Sequence, residues 1–202
     1  PWMAMELLKG RDLSTALSER GGFPLDEAKA IFRQAGHALA SAHRQGIVHR
    51  DLKPENIFLA ESRREGGAVT VKILDFGIAK VLQENRAYGK TLGGLGTPLW
   101  LAPEQTHNGE ITPATDVWAL GLIAFALLTG RSYWKCADQD VPIVAVLTEM
   151  FAEALVPASQ RAVEFGLRCE LPDGFDEWFA HCVARDAHER FKSADACVNA
   201  FL

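Results

Sequence analysis

The sequence has little of what would tie it to a metal cage, a membrane or a nucleic acid. Its four cysteines, Cys136, Cys169, Cys182 and Cys197, lie far apart with no CxxC pair, which signals neither a zinc site nor a disulfide framework. Reduced thiols in a cytoplasmic setting are the expectation. The 21 Lys and Arg against 26 Asp and Glu leave a net charge of -5, so there is no broad basic field and no nucleic-acid partner is expected. The longest apolar run, 117–128, is too short to span a bilayer and directly follows Asp116, and the N-terminus lacks a basic region followed by an apolar stretch, so no membrane segment is expected. A phosphate-binding P-loop is also missing. Gly89-Lys90-Thr91 ends like one, but Glu84 stands where its first glycine belongs and no strand precedes it.

What is present is a core and one dense polar motif. At 202 residues and 48% apolar composition the chain suffices for one domain with a substantial interior. His49-Arg50-Asp51-Leu52-Lys53-Pro54-Glu55-Asn56 is followed, nineteen residues after Asn56, by Asp75-Phe76-Gly77. An aspartate, a lysine and an asparagine at fixed offsets on a proline-containing loop, with a second aspartate beyond a short hairpin, are what metal-assisted phosphoryl transfer requires. Asp-Phe-Gly alone would be an ordinary strand-to-turn sequence. Order and spacing give it weight, because Ala102-Pro103-Glu104, Asp116-Val117-Trp118-Ala119-Leu120-Gly121 and Arg190-Phe191 follow in turn.

These landmarks resemble the protein kinase superfamily, and the phrasing of 96–105 and 112–133 is similar to bacterial serine/threonine kinases of the eukaryotic type. The resemblance implies an α+β, mainly helical fold: the large, C-terminal lobe of a kinase, with a small β-hairpin carrying the metal ligands. It divides residues 1–202 into a hinge at 4–10, a catalytic loop at 49–56, an activation segment at 75–104 and a helical core at 113–202. ATP and Mg²⁺ are the implied cofactors. Asp51 would be the catalytic base, Lys53 would neutralise charge on the phosphoryl group in flight, and Asn56 and Asp75 would hold Mg²⁺. Glu6 and Leu8 would meet adenine through their backbone, with Met5 behind the pocket and Phe58 beneath the ring, and Glu55 joins Lys53, Asn56 and Asp75 on the nucleotide side. Lys53 paired with Thr97 follows the serine/threonine pattern, so protein substrates with Ser or Thr acceptors are the implied partners. Thr91 is the implied autophosphorylation site.

The local patterns agree with such a lobe. Asp12 to Glu19 reads as a short helix ended by Gly21-Gly22. From Leu25 to Gln45 a helical period runs through Ala28, Ile31, Phe32, Ala35, Leu39, Ala42 and His43 and stops at Gly46. His37 and His43 are given no chemistry, since a lone helical histidine is usually structural. Ile57 to Ala60 and Val69 to Leu74 read as a hairpin that brings Asn56 and Asp75 to one end. Thr112-Pro113 opens, and Gly130 closes, a helix apolar almost all round that must be buried. Within it, Asp116 needs donors, which the resemblance supplies as catalytic-loop amides near His49 and Arg50. It likewise pairs Glu104 with Arg190, with Ala187 in place of a usual proline. Ile143 to Glu153, Phe175 to Ala184 and Ala194 to Leu202 read as further helices.

No GxGxxG string occurs, and no residues before Pro1 supply the strand lysine that accompanies it in kinases. The chain is therefore expected to lack the small N-terminal lobe and to depend on one in its parent protein for firm ATP binding. A degraded kinase serving as a binding scaffold is the alternative, and a small-molecule phosphotransferase of the same fold is disfavoured by Lys53-Pro54-Glu55 and Ala102-Pro103-Glu104.

Overall fold

The computed structural model describes residues 6–61, 69–76, 99–107, 109–138, 142–167 and 171–201. Met5, the loop between the hairpin strands, Gly77 and most of the activation segment, including Thr91 and Thr97, lie outside the described residues. A three-stranded antiparallel sheet of β1 (Gly10–Asp12), β2 (Ile57–Ala60) and β3 (Thr70–Ile73), in that order, sits at one end of seven helices among the described residues. These are α1 (Leu13–Arg20), α2 (Leu25–His43), α3 (Pro113–Thr129), α4 (Ile143–Phe151), α5 (Ala158–Glu164), α6 (Phe175–Cys182) and α7 (Ala194–Phe201). The fold is the mainly helical α+β architecture the sequence implies.

The expected hairpin is the β2–β3 pair, in register Ile57 with Ile73 and Ala60 with Thr70. Strand β1 is an addition. Gly10-Arg11-Asp12 has no strand propensity of its own, and it becomes extended because it pairs with β2, Gly10 opposite Ala60. Gly10 has φ 135°, and a Cβ there would stand 2.1 Å from the Leu59 carbonyl oxygen, so no other residue fits this approach. Asp12 then caps α1, its carboxylate accepting from the Thr15 amide at 2.8 Å.

Helix α3 is buried from Ala114 to Thr129. Thr112 holds the N-cap, Pro113 the first turn, and Gly130, left-handed at φ 74°, closes the helix through its amide to the Ala126 carbonyl. Helices α2, α6 and α7 pack against this rod. Phe32 of α2 meets Trp178 and Phe201 edge-on at 5.5 and 4.9 Å, and Trp118 stacks on Trp134 at 6.1 Å. The unexpected helix, α5, has seven residues, too few to show a period, and Pro157 immediately precedes it.

Gly121 lets α6 approach α3, since a Cβ at that position would lie 2.4 Å from the Cβ of Cys182. Gly121→Ala is expected to destabilise the fold by about 1–3 kcal/mol through overpacking, read by urea unfolding. Cys136, Cys182 and Cys197 are free and buried, while Cys169 lies outside the described residues. Burial, reinforced by the Glu149 carboxylate, pushes the Cys136 thiol up to about 12, and burial beside the Cys197 sulfur raises Cys182 well above the ordinary thiol value. Since the thiolate is the reactive form, iodoacetamide at pH 8 is expected to leave both unmodified in the native protein and to label them after denaturation, as mass spectrometry would show.

Candidate active site

Helix α2 ends at His43, and the turn at Gly46, left-handed at φ 74°, sends the chain back toward α3. In the stretch that follows, Leu52, Pro54 and Asn56 point inward, while Asp51 and Lys53 are half-buried and Glu55 is exposed. The buried set anchors the loop and the intervening set faces the open side. Asp51 Oδ2 lies 3.1 Å from Lys53 Nζ, with the two side chains 28% and 36% exposed. Asn56 Nδ2 donates to the Asp51 carbonyl at 2.8 Å and reaches Asp51 Oδ2 at 3.3 Å. Three of the residues singled out in the sequence thus form one hydrogen-bonded group.

The backbone beneath that group is held by Asp116, which is 1% exposed. One carboxylate oxygen accepts the Arg50 amide at 2.9 Å; the other accepts the His49 amide at 2.8 Å and lies 2.7 Å from His43 Nε2. Arg50 is left-handed, φ 65°, a conformation that costs a branched or long side chain roughly 1–3 kcal/mol and persists only where surroundings impose it. His49 Nε2 lies 2.9 Å from the Leu74 carbonyl while its Nδ1 receives the Asp51 amide at 3.2 Å. Only the tautomer with its proton on Nε2 satisfies both partners.

Asp75 arrives at the same end of the sheet. The Leu74 amide donates to the Asn56 carbonyl at 2.8 Å, continuing the ladder past Ile57 and Ile73. Asp75 is exposed and left-handed, φ 50°, and the Phe76 ring rests against His49 with centroids 4.7 Å apart. The structure therefore delivers Asp75 to the rim beside Asn56. Asn56, with Nδ2 turned to Asp51, has its amide oxygen left as a donor atom, and Asp75 adds an exposed carboxylate; these are hard oxygen ligands that suit Mg²⁺. Among the described residues no cluster of three or more His, Cys, Asp or Glu could hold a metal by itself, so a cation here would need further ligands from water or phosphate.

The described part of the expected hinge, from Glu6 onward, lies at the opposite end of β2, where the Glu61 amide bonds the Lys9 carbonyl at 2.9 Å. Glu6, Leu8, Lys9, Ala60, Thr70 and Lys72 line a concavity there of about 640 Å³. Glu6 is exposed, with Oε2 3.5 Å from Lys72 Nζ. Phe58 is half-buried, on the face of β2 opposite the buried Ile57 and Leu59.

Below the loop, Glu104 and Arg190 form a two-pronged pair at 2.8 and 2.9 Å. Thr115 Oγ1 donates to Glu104 at 2.9 Å, and Arg190 also donates to the Ala184 and Ala114 carbonyls at 2.6 and 3.0 Å. Ala187 is no obstacle, since Asp186 caps the short turn over 187–189 by accepting the His188 amide.

The sequence profile of the protein kinase domain matches residues 1–202. The chain belongs to this family. It is 34% identical over 198 residues to the serine/threonine-protein kinase PknL of Mycobacterium tuberculosis, a match covering 97% of this chain and 45% of PknL. To the serine/threonine-protein kinase Pkn1 of Myxococcus xanthus it is 45% identical over 135 residues, 65% of this chain and 18% of Pkn1. The chain spans less than half the length of either relative. Among solved structures, the kinase domain of M. tuberculosis PknI matches with TM-score 0.66 at 21% identity over 98% of this chain and 62% of that one. Rad53 residues 1–466 in complex with AMP-PNP match with TM-score 0.70 at 26% identity, covering 96% and 44%.

Two polar residues of this kinase lobe were not assigned their place from sequence. His43 was read as structural, and so it is, yet it is a direct partner of Asp116; the signal was a polar residue on the apolar face of α2, which burial obliges to find a partner. Gln105 donates through Nε2 to the Arg50 carbonyl at 2.7 Å, and nothing in the local pattern announced it. His37 is exposed. Asp116→Ala removes the acceptor from the buried His49 amide and the part-buried Arg50 amide, and at about 1–3 kcal/mol for an orphaned buried donor the expected loss is at least about 1–3 kcal/mol, measurable by urea unfolding.

Proposed function

We propose that this chain is the large-lobe part, residues 1–202, of an ATP- and Mg²⁺-dependent protein serine/threonine kinase. The observation that carries the reading is the joined group of Asp51, Lys53 and Asn56 at the sheet end where Asp75 emerges. Asp51 accepts, or orients, the proton of the attacking Ser or Thr hydroxyl; it is partly exposed and already oriented by Asn56. Lys53, beside it, offers its ammonium group to the phosphoryl oxygens as charge shifts between the attacking and leaving oxygens. The Asn56 amide oxygen and the Asp75 carboxylate would hold Mg²⁺, which when bound neutralises phosphate charge. Glu55 stands exposed on the same loop.

Strand β2 measures the nucleotide. Its four residues separate Asn56 from the hinge by roughly 13 Å at ~3.3 Å per residue, a span suited to adenine at one end and the terminal phosphate at the other. Glu6 and Leu8 would then meet adenine through their backbone, with Phe58 beneath it. The Rad53 structure with AMP-PNP supports a nucleotide in this fold, and the serine/threonine kinases PknL and Pkn1 support the acceptor class. No described helix is long and apolar enough to cross a membrane.

Asp51→Asn keeps the side chain's size and removes its basicity. In the full-length protein, with a generic protein substrate, it is expected to lower kcat by about 10²–10⁴-fold. A rate within a few-fold of wild type would sink the role of Asp51 as base.

A further inference from the structure

The peptide group joining Arg50 to Asp51 is held from both sides. Its carbonyl accepts from Gln105 Nε2 at 2.7 Å, and its N–H points to His49 Nδ1 at 3.2 Å. The next peptide group is held as well, through the Asp51 carbonyl and Asn56 Nδ2 at 2.8 Å. Asp51 therefore hangs between two fixed planes, and its carboxylate is aimed by their orientation. Among the described residues, the side chain that reaches these planes from outside the 49–56 segment is Gln105.

Gln105 is itself well placed to hold a plane still. It ends the short helical turn Pro103–Gln105, directly after Glu104 in its double bond to Arg190. Its Oε1 accepts the Ala102 amide at 3.0 Å. Because an amide N–H can only donate and a carbonyl can only accept, the side-chain amide has one consistent orientation, with Nε2 toward Arg50. The contact bridges 55 residues of sequence. Without it the Arg50 carbonyl loses its brace, and the plane can turn about ψ of Arg50 and φ of Asp51, which swings the Asp51 side chain.

We propose that Gln105 is a positioning residue for Asp51, tying the Arg50–Asp51 peptide plane to the Glu104–Arg190 pair. The inference rests on the reading of Asp51 as the base. A lesser role would be closure of the 103–105 turn through Ala102 alone, and two variants separate the roles. Gln105→Glu keeps an acceptor for the Ala102 amide but cannot donate to the Arg50 carbonyl when ionised; Gln105→Met, of similar shape, does neither. Half-buried Gln105 tolerates both.

In the full-length protein both variants are expected to lower kcat about tenfold, the effect of one lost hydrogen bond, with KM for ATP unchanged. Amide hydrogen exchange should quicken in 49–53 and stay unchanged in 113–129. If Gln105→Glu keeps wild-type kcat while Gln105→Met does not, turn closure is the whole role and the proposal is overturned; unchanged exchange in both variants overturns it too. Should the wild-type protein transfer no phosphate, the kinase reading fails by itself, and the exchange measurement alone decides whether Gln105 holds the plane.

Discussion

The carboxylate of Asp116 is the interaction on which the site depends. Taking an ion out of water costs several kcal/mol unless its lone pairs are filled, and here two backbone amides and an imidazole nitrogen fill them. The amides belong to His49 and Arg50, so satisfying the aspartate also dictates the backbone at the start of the 49–56 loop. The left-handed Arg50 follows from this geometry. His43 draws the end of α2 into the same arrangement, which sets where the loop begins.

That aspartate is effective because of the helix that carries it. α3 is apolar on nearly every side and buried along its length, so packing at interior density fixes it in place. Gly121 on one side and the Trp118–Trp134 stack on the other keep its neighbours close. Rigidity in the core passes through Asp116 to the loop and through Thr115 to Glu104. The groups proposed for the chemistry stand at the rim, where Asp51 and Lys53 are half-buried and Asp75 is exposed. Among the described residues both left-handed positions other than glycine, Arg50 and Asp75, stand at this rim, as strained backbone does where surrounding structure over-determines it.

Much of this was legible in the residues. Helix α2 could be read because nineteen residues give several turns of apolar period, and α3 because an all-apolar helix between Thr112-Pro113 and Gly130 has nowhere to go but the core. The β2–β3 pair could be read from two short β-rich runs, and with it the emergence of Asp75 at the Asn56 end of the sheet. Strand β1 and helix α5 could not, because three and seven residues carry no usable period and form only against neighbours.

The sequence by itself determined which groups are available and in what order: two aspartates, a lysine and an asparagine at spacings that match phosphoryl transfer, and a buried acid in need of donors. Tertiary structure decided who supplies what. That His43 completes Asp116, that His49 faces Leu74 on one ring nitrogen and Asp51 on the other, and that Gln105 braces a carbonyl 55 residues away all depend on contacts between segments remote in the chain. A hydrogen-bonding side chain states its capacity in the sequence, but only packing selects which of many partners comes within 3 Å.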